Sequence, residues 1–102
     1  MEIHRRKKIE IVVESGMVPD VVEWLVAHGV KGYTTVPKVS GFGRQGRRQT
    51  EEISRVFENT LVIAIAPEET ARLILIESVE RLRDYAAIVY LSDVEVARPD
   101  HF

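Results

Sequence analysis

The chain contains no cysteine. That removes a disulfide framework, a thiolate-held metal and a cysteine nucleophile, and it fits a reducing compartment, so a cytoplasmic location is expected. Long apolar runs are missing too. Ile9 to Val13, Leu61 to Ala66 and Ala86 to Leu91 are much shorter than the ~20 residues a bilayer span requires. The basic cluster His4 to Lys8 runs directly into a strand-like segment without a small-residue cleavage pattern, so no secretory leader is expected. Nor is there an excess of one charge. Fourteen basic against sixteen acidic side chains leave a net charge of −2, without the broad positive footprint of a duplex-binding protein.

Catalytic signatures are also missing. There is no Gly-x-Ser-x-Gly elbow, His-Glu-x-x-His, Walker sequence or Gly-x-Gly-x-x-Gly, and Asp84, Asp93 and Glu95 lack an evident acid–base partner. Glu51 and Glu52 read as a solvated charge run. His4, His28 and His101 stand too far apart in sequence for a helical metal pair, so no metal is expected. His28 reads as a residue at a helix C-terminus, where its charged form suits the dipole, and His101 as part of a tail. The composition therefore points away from an enzyme.

What is present is a regular succession of elements. Lys8 to Val13 is rich in β-branched residues and reads as a strand. Pro19 and Asp20 open a helix whose apolar positions Val18, Val21, Val22, Leu25 and Val26 recur at helical spacing, and Gly29 ends it. A second strand is expected from Gly32 to about Ser40, with Pro37 marking an edge or a bulge. Phe57 to Ala66 reads as a third strand. Pro67 then starts a helix with Glu68 and Glu69 in its first turn, running to about Arg83 with Ala71, Leu75, Ser78, Val79 and Leu82 on one face. Ala87 to Leu91 is the last long strand, and Val94 to Val96 a short echo of it. The order βαββαβ predicts an α+β, ferredoxin-like sandwich: an antiparallel four-stranded sheet with both helices on one face, as one domain over residues 1–102.

Two features of this pattern bear on function. Leu61 to Ala66 and Ala86 to Leu91 do not alternate apolar with polar, so both of their faces should be buried. Two helices cover only one face of a sheet, and the other then needs a second copy of the chain, which predicts a homo-oligomer. The second feature is Gly41 to Thr50, with three glycines, three arginines, two glutamines and only Phe42 as an apolar side chain. Such a segment cannot bury enough surface to order itself and should be a mobile loop. Glycines let the backbone approach an anion, and arginine forks supply bidentate, charge-assisted contacts to phosphate or carboxylate.

The segment Gly32-Tyr33-Thr34-Thr35-Val36-Pro37-Lys38-Val39-Ser40-Gly41-Phe42-Gly43-Arg44-Gln45 resembles the second strand and the start of the long T-loop in PII signal-transduction proteins, most specifically in Gly-Phe-Gly-Arg-Gln. The element order agrees over essentially the whole chain. The resemblance implies a PII-type homotrimer that binds adenine nucleotides in clefts between subunits, with a T-loop at about residues 41–54. It places Tyr33, Thr34, Gly41, Phe42, Gly43, Arg44, Gln45, Tyr85, Ala86 and Arg98 at the nucleotide, and Gly43, Gln45, Gly46 and Arg47 at a candidate anion or bicarbonate site. The glycine- and lysine-rich loop that grips polyphosphate in the usual family is replaced by the short Arg81 to Ala87, and the lysine that helps bind 2-oxoglutarate falls near Asn59. The ending Asp84 to Tyr90, with Lys31 to Thr34, is similar to the divergent branch associated with carboxysomes and bicarbonate transporters. That branch implies AMP or ADP in preference to ATP, bicarbonate as a second ligand, and a partner in inorganic-carbon metabolism such as a transporter or carboxysome protein.

Two other readings stay open at this stage. An RNA-binding ferredoxin-like module would stack bases on Tyr33, Phe57 and Tyr90. An amino-acid-binding regulatory module would place its ligand between helices.

Overall fold

The computed structural model describes residues 3–41 and 58–102. The first strand, β1, is longer than its apolar run and spans His4–Glu14. A short 3-10 turn leads into helix α1, Val18–Ala27, with Pro19 in its first turn and Asp20 beside it. The helix ends in a Schellman arrangement. Gly29 takes φ +86, its N–H donates to Val26 O, and Val30 N–H donates to Leu25 O. Both bonds satisfy carbonyls that the helix end would otherwise leave without donors, and only glycine adopts that φ at little cost.

Strand β2, Tyr33–Val39, follows at the edge of the sheet, where Pro37 costs no ladder bond to a further strand. The expected irregularity is there: the register with β3 shifts between Pro37 and Val39, and Lys38 takes φ 60. Strand β3 is Asn59–Ala66, helix α2 is Glu68–Arg81, and β4 is Ile88–Val96. The strand and its expected echo are one continuous strand, because β4 pairs with β1 from Val12 opposite Ile88 to His4 opposite Val96. The sheet is antiparallel in the order β2-β3-β1-β4, which gives the α+β, ferredoxin-like fold.

Alternation divides the sheet into two faces. Ile9, Ile11 and Val13 of β1 pair with Ala64, Val62 and Thr60 of β3, and these six are buried beneath the helices with Val21, Trp24, Leu25, Ala71 and Ile74. Each of the buried isoleucine, valine and leucine side chains contributes about 1.5–3 kcal/mol through burial. On the other face Val12, Leu61, Ile63 and Ile65 are half-buried, while Val36, Ile88 and Tyr90 are exposed.

Two helical faces depart from the sequence reading. Val79, expected with the core, is 68% exposed, because Ala71, Ile74 and Ser78 define the buried side of α2 and residue 79 turns a further ~100° away. Val26 of α1 is likewise exposed, and Trp24, absent from the expected stripe, is buried.

Candidate ligand-binding site

The register of β2 begins with Tyr33 opposite Ala64, so Ile65 and Ala66 of β3 extend past it. The C-terminal segment closes over this notch. It leaves β4 at Val96, turns through the 3-10 helix Pro99–His101 and crosses toward the β2 edge. Arg6 Nη2 donates to Pro99 O at 3.4 Å, and Lys31 Nζ donates to Asp100 O at 3.1 Å. The result is a groove of about 410 Å³ between Lys31, Gly32, Tyr33 and Thr34 on one side and Asp100, His101 and Phe102 on the other, floored by Ile63 to Ile65. An apolar floor with a few convergent polar groups suits a small organic ligand, and the volume falls within the ~300–1,000 Å³ of such sites. The Lys31 ammonium offers attraction to an anion; the Thr34 hydroxyl and the His101 imidazole offer hydrogen bonds.

Of the expected nucleotide residues, this groove contains Tyr33 and Thr34. Arg98 immediately precedes its 3-10 wall. Gly41 and Tyr85 lie elsewhere. Val39 is opposite Asn59, Asn59 opposite Glu14, and Val12 opposite Ile88, so Gly41 and the segment entering β4 share the far end of the sheet. Tyr85 borders a smaller hollow of about 190 Å³ there with Met17, Asp20, Val21, Arg81 and Leu82, and Ala86 is half-buried beside it. From Tyr33 to Gly41 the strand runs about 25 Å at roughly 3.3 Å per residue. Phe42, Gly43, Arg44, Gln45, Gly46 and Arg47 lie outside the described residues. Those of the expected residues that are described thus fall at two ends of the sheet, and one copy of the chain does not bring them together.

Asp100, His101 and Phe102 were not anticipated, and His101 is a wall of the groove instead of part of a bare tail. The signal for them is slight: Pro99 after Arg98 suits the start of a short helical turn, and an aromatic follows. His28 also has a more definite position than a helix end alone implies. Its Nε2 is 2.8 Å from Glu77 Oε1, which accepts from Trp24 Nε1 at 2.9 Å. Those hydrogen bonds, the indole's first and the imidazole's second, hold the Glu77 carboxyl below the usual carboxylate range. Asp93 is lowered by its hydrogen bond and charge pairing with Lys7, and Glu68 by those with Arg72. These three carboxylates brace strands and helices outside the groove.

A base-stacking platform does not form from the aromatics described. Tyr33 pairs with Ala64 on the helix-covered side of the register, whereas Tyr90 pairs with Glu10 on the other face, at the opposite edge of the sheet.

A two-layer ferredoxin-like module, with an apolar sheet face left uncovered and an open ligand groove at one sheet end, is the class these features define. The family model for the nitrogen regulatory protein P-II matches residues 6–101, and the chain belongs to that family of regulatory proteins. Among solved structures, it is similar to CPII from Thiomonas intermedia K12, a nitrogen regulatory PII-like protein. In the form bound to ADP, AMP and acetate, the identity is 27% and the TM-score 0.84, covering 100% of this chain and 98% of that one. In the form bound to ADP and bicarbonate, the identity is 30% and the TM-score 0.84, covering 99% and 97%. A chain from Thermus thermophilus described as a PII-like signaling protein is 31% identical with a TM-score of 0.80, covering 100% and 99%. The search of curated proteins finds no match. These likenesses place the chain in the divergent, PII-like part of the family. Among the described residues no helix is long and apolar enough to cross a membrane.

Proposed function

We propose that the chain is a non-catalytic sensor of adenine nucleotides, with AMP and ADP preferred to ATP, which binds them between subunits of a homotrimer. The observation that carries this reading is the division of the expected site. The groove beside Tyr33 and Thr34 lies at one end of the sheet, Gly41, Tyr85 and Ala86 lie at the other, and an apolar sheet face is left uncovered in one chain. Packing copies through that face would set the groove of one subunit against the far end of its neighbour. In this arrangement Tyr33, Thr34 and Arg98 come from one subunit, and Gly41, Phe42, Gly43, Arg44, Gln45, Tyr85 and Ala86 from the next. That CPII holds ADP and AMP at 27% identity supports the choice of ligand.

Bicarbonate is the second proposed ligand, supported by the CPII form that binds it with ADP. Its proposed contacts are Gly43, Gln45, Gly46 and Arg47. Occupancy would order the T-loop at about residues 41–54, and the ordered loop would dock to a protein partner in inorganic-carbon metabolism, such as a transporter or a carboxysome protein.

Isothermal calorimetry with AMP, ADP and ATP, with and without bicarbonate, tests this reading. The expected outcome is binding of AMP or ADP that Thr34→Ala and Arg44→Ala each weaken roughly tenfold, the loss of one charged or hydroxyl contact of about 1.4 kcal/mol. Absence of binding for all three nucleotides would reject it.

A further inference from the structure

The side of α2 turned away from the sheet is apolar where a solvated helix is ordinarily polar. Opposite the buried Ala71, Ile74 and Ser78, Leu73 is 45% exposed, and Ile76 and Val79 are each 68% exposed. A single exposed aliphatic is ordinary, but three at successive intervals of three residues form one continuous strip. The charges bordering that strip are ordered by sign about its centre. Three positions either side of Ile76 stand Leu73 and Val79; four positions either side, Arg72 and Glu80; seven positions either side, Glu69 and Arg83. Three, four and seven are the spacings that share one helical face; Glu69, Arg72, Leu73, Val79 and Glu80 lie within the helix, Arg83 stands in the turn just past its last residue, Arg81, and all are exposed.

We propose that α2 pairs antiparallel with α2 of a second copy of this chain, about a twofold axis passing at Ile76. In such an isologous contact each residue meets the one equally far on the other side of the axis. Leu73 then packs on Val79, Ile76 on its own counterpart and Arg72 meets Glu80, so apolar and charged positions are both self-complementary, and Arg83, in the turn beyond the helix, extends toward the end that carries Glu69. Within one chain Arg72 is bonded to Glu68 at 2.8 Å and Arg83 pairs with Glu80, but these are exposed pairs that constrain little, so both cations remain able to engage a neighbour. Asp84, as far from the axis in sequence as Glu68, lies in the turn beyond Arg81 and off the helical register.

The border of two anions and two cations has no net charge to attract an anionic lipid surface, and the symmetry about Ile76 calls for no foreign partner. A 14-residue helix presents a small interface, below the ~1,200 Å² of stable complexes, so one contact is weak and concentration-dependent. The contact lies on the side of the chain opposite the bare sheet face. Resting on the sheet-to-sheet assembly proposed above, it would join such oligomers to one another, with several copies acting together to strengthen it.

Sedimentation velocity of the full chain across the micromolar range tests the contact without any nucleotide, so the sensor reading can fail independently. The expected result is a species of twice the basal mass as concentration rises. Ile76→Lys, which sets two cations across the axis, should raise the concentration for half-assembly at least tenfold. Arg72→Glu should weaken doubling and Arg72→Glu with Glu80→Arg should restore it. Because the chain has no cysteine, Ile76→Cys should form an intermolecular disulfide under mild oxidation much faster than Glu23→Cys on α1. A wild type that never doubles, doubling that survives Ile76→Lys, or crosslinking no faster at position 76 than at 23 overturns the proposal, whether the strip then meets lipid, another protein or only water.

Discussion

The two faces of the sheet are made from the same strands and behave as different kinds of surface. On the helix side, Ile9, Ile11 and Val62 are wholly buried within a single chain. On the other side, their neighbours Val12, Leu61 and Ile63 are half-buried, and Ile88 and Tyr90 stay exposed. The difference lies in what covers each face, since β-branched and leucine side chains occur on both. A strand buried on both sides in the working molecule shows only half of its burial in one copy. The closed face accounts for folding. The bare face, with the groove at its end, is where association and ligand binding are proposed.

The contrast makes its largest prediction at Ile11. Truncation by Ile11→Ala removes packing on every side and leaves a cavity, so unfolding in urea should show a loss of about 2–5 kcal/mol at any protein concentration. Leu61→Glu, on the other face between Val12 and Val36, should act differently. It places a charge where another sheet is proposed to pack, weakening assembly about 100-fold, on the order of 3 kcal/mol, while the isolated chain keeps its circular dichroism. Light scattering that reports the same mass for Leu61→Glu and wild type would break the comparison, because the bare face would then be a solvated surface.

Much of the fold was legible because it rests on local pattern. The βαββαβ order follows from apolar runs separated by Gly29, Pro67 and the Pro19-Asp20 helix start, and Pro37 marks an edge or a bulge in the sequence where the structure has an edge strand with a register shift. The helix faces were less legible where the apolar strip is broad. On α2, Leu73, Ile74, Leu75, Ile76 and Val79 run around most of the circumference, so periodicity alone could not tell the core side from the strip that faces outward. The groove was half legible. Tyr33 and Thr34 carry the family pattern, but Asp100, His101 and Phe102 join them through two bonds to backbone carbonyls, from Arg6 and Lys31, that leave no trace in residue spacing. The T-loop residues expected at the ligand, from Phe42 to Arg47, fall outside the described residues.

The smallest effect expected sharpens the comparison from within the closed face, whose helix layer carries a polar seam. Trp24 is 3% exposed and its indole N–H donates to Glu77 across the α1–α2 interface, with His28 on the same oxygen and the Arg81 guanidinium 5.3 Å from the indole centre. Trp24→Phe keeps an aromatic ring but loses volume and the donor, for a cost of roughly 1–2 kcal/mol. Glu77→Gln isolates the charge. Because the folded carboxyl titrates below the usual 4.5, its ionised form stabilises the native state above that pH, and the contribution disappears as pH falls through the lowered value. Wild type and Glu77→Gln should therefore differ in thermal midpoint at neutral pH and converge in acid. A gap that stays constant down to strong acid would mean the seam is held by the shape of the Trp24 pocket, with the carboxylate charge contributing nothing, and the helix-covered face would then be closed by apolar packing alone.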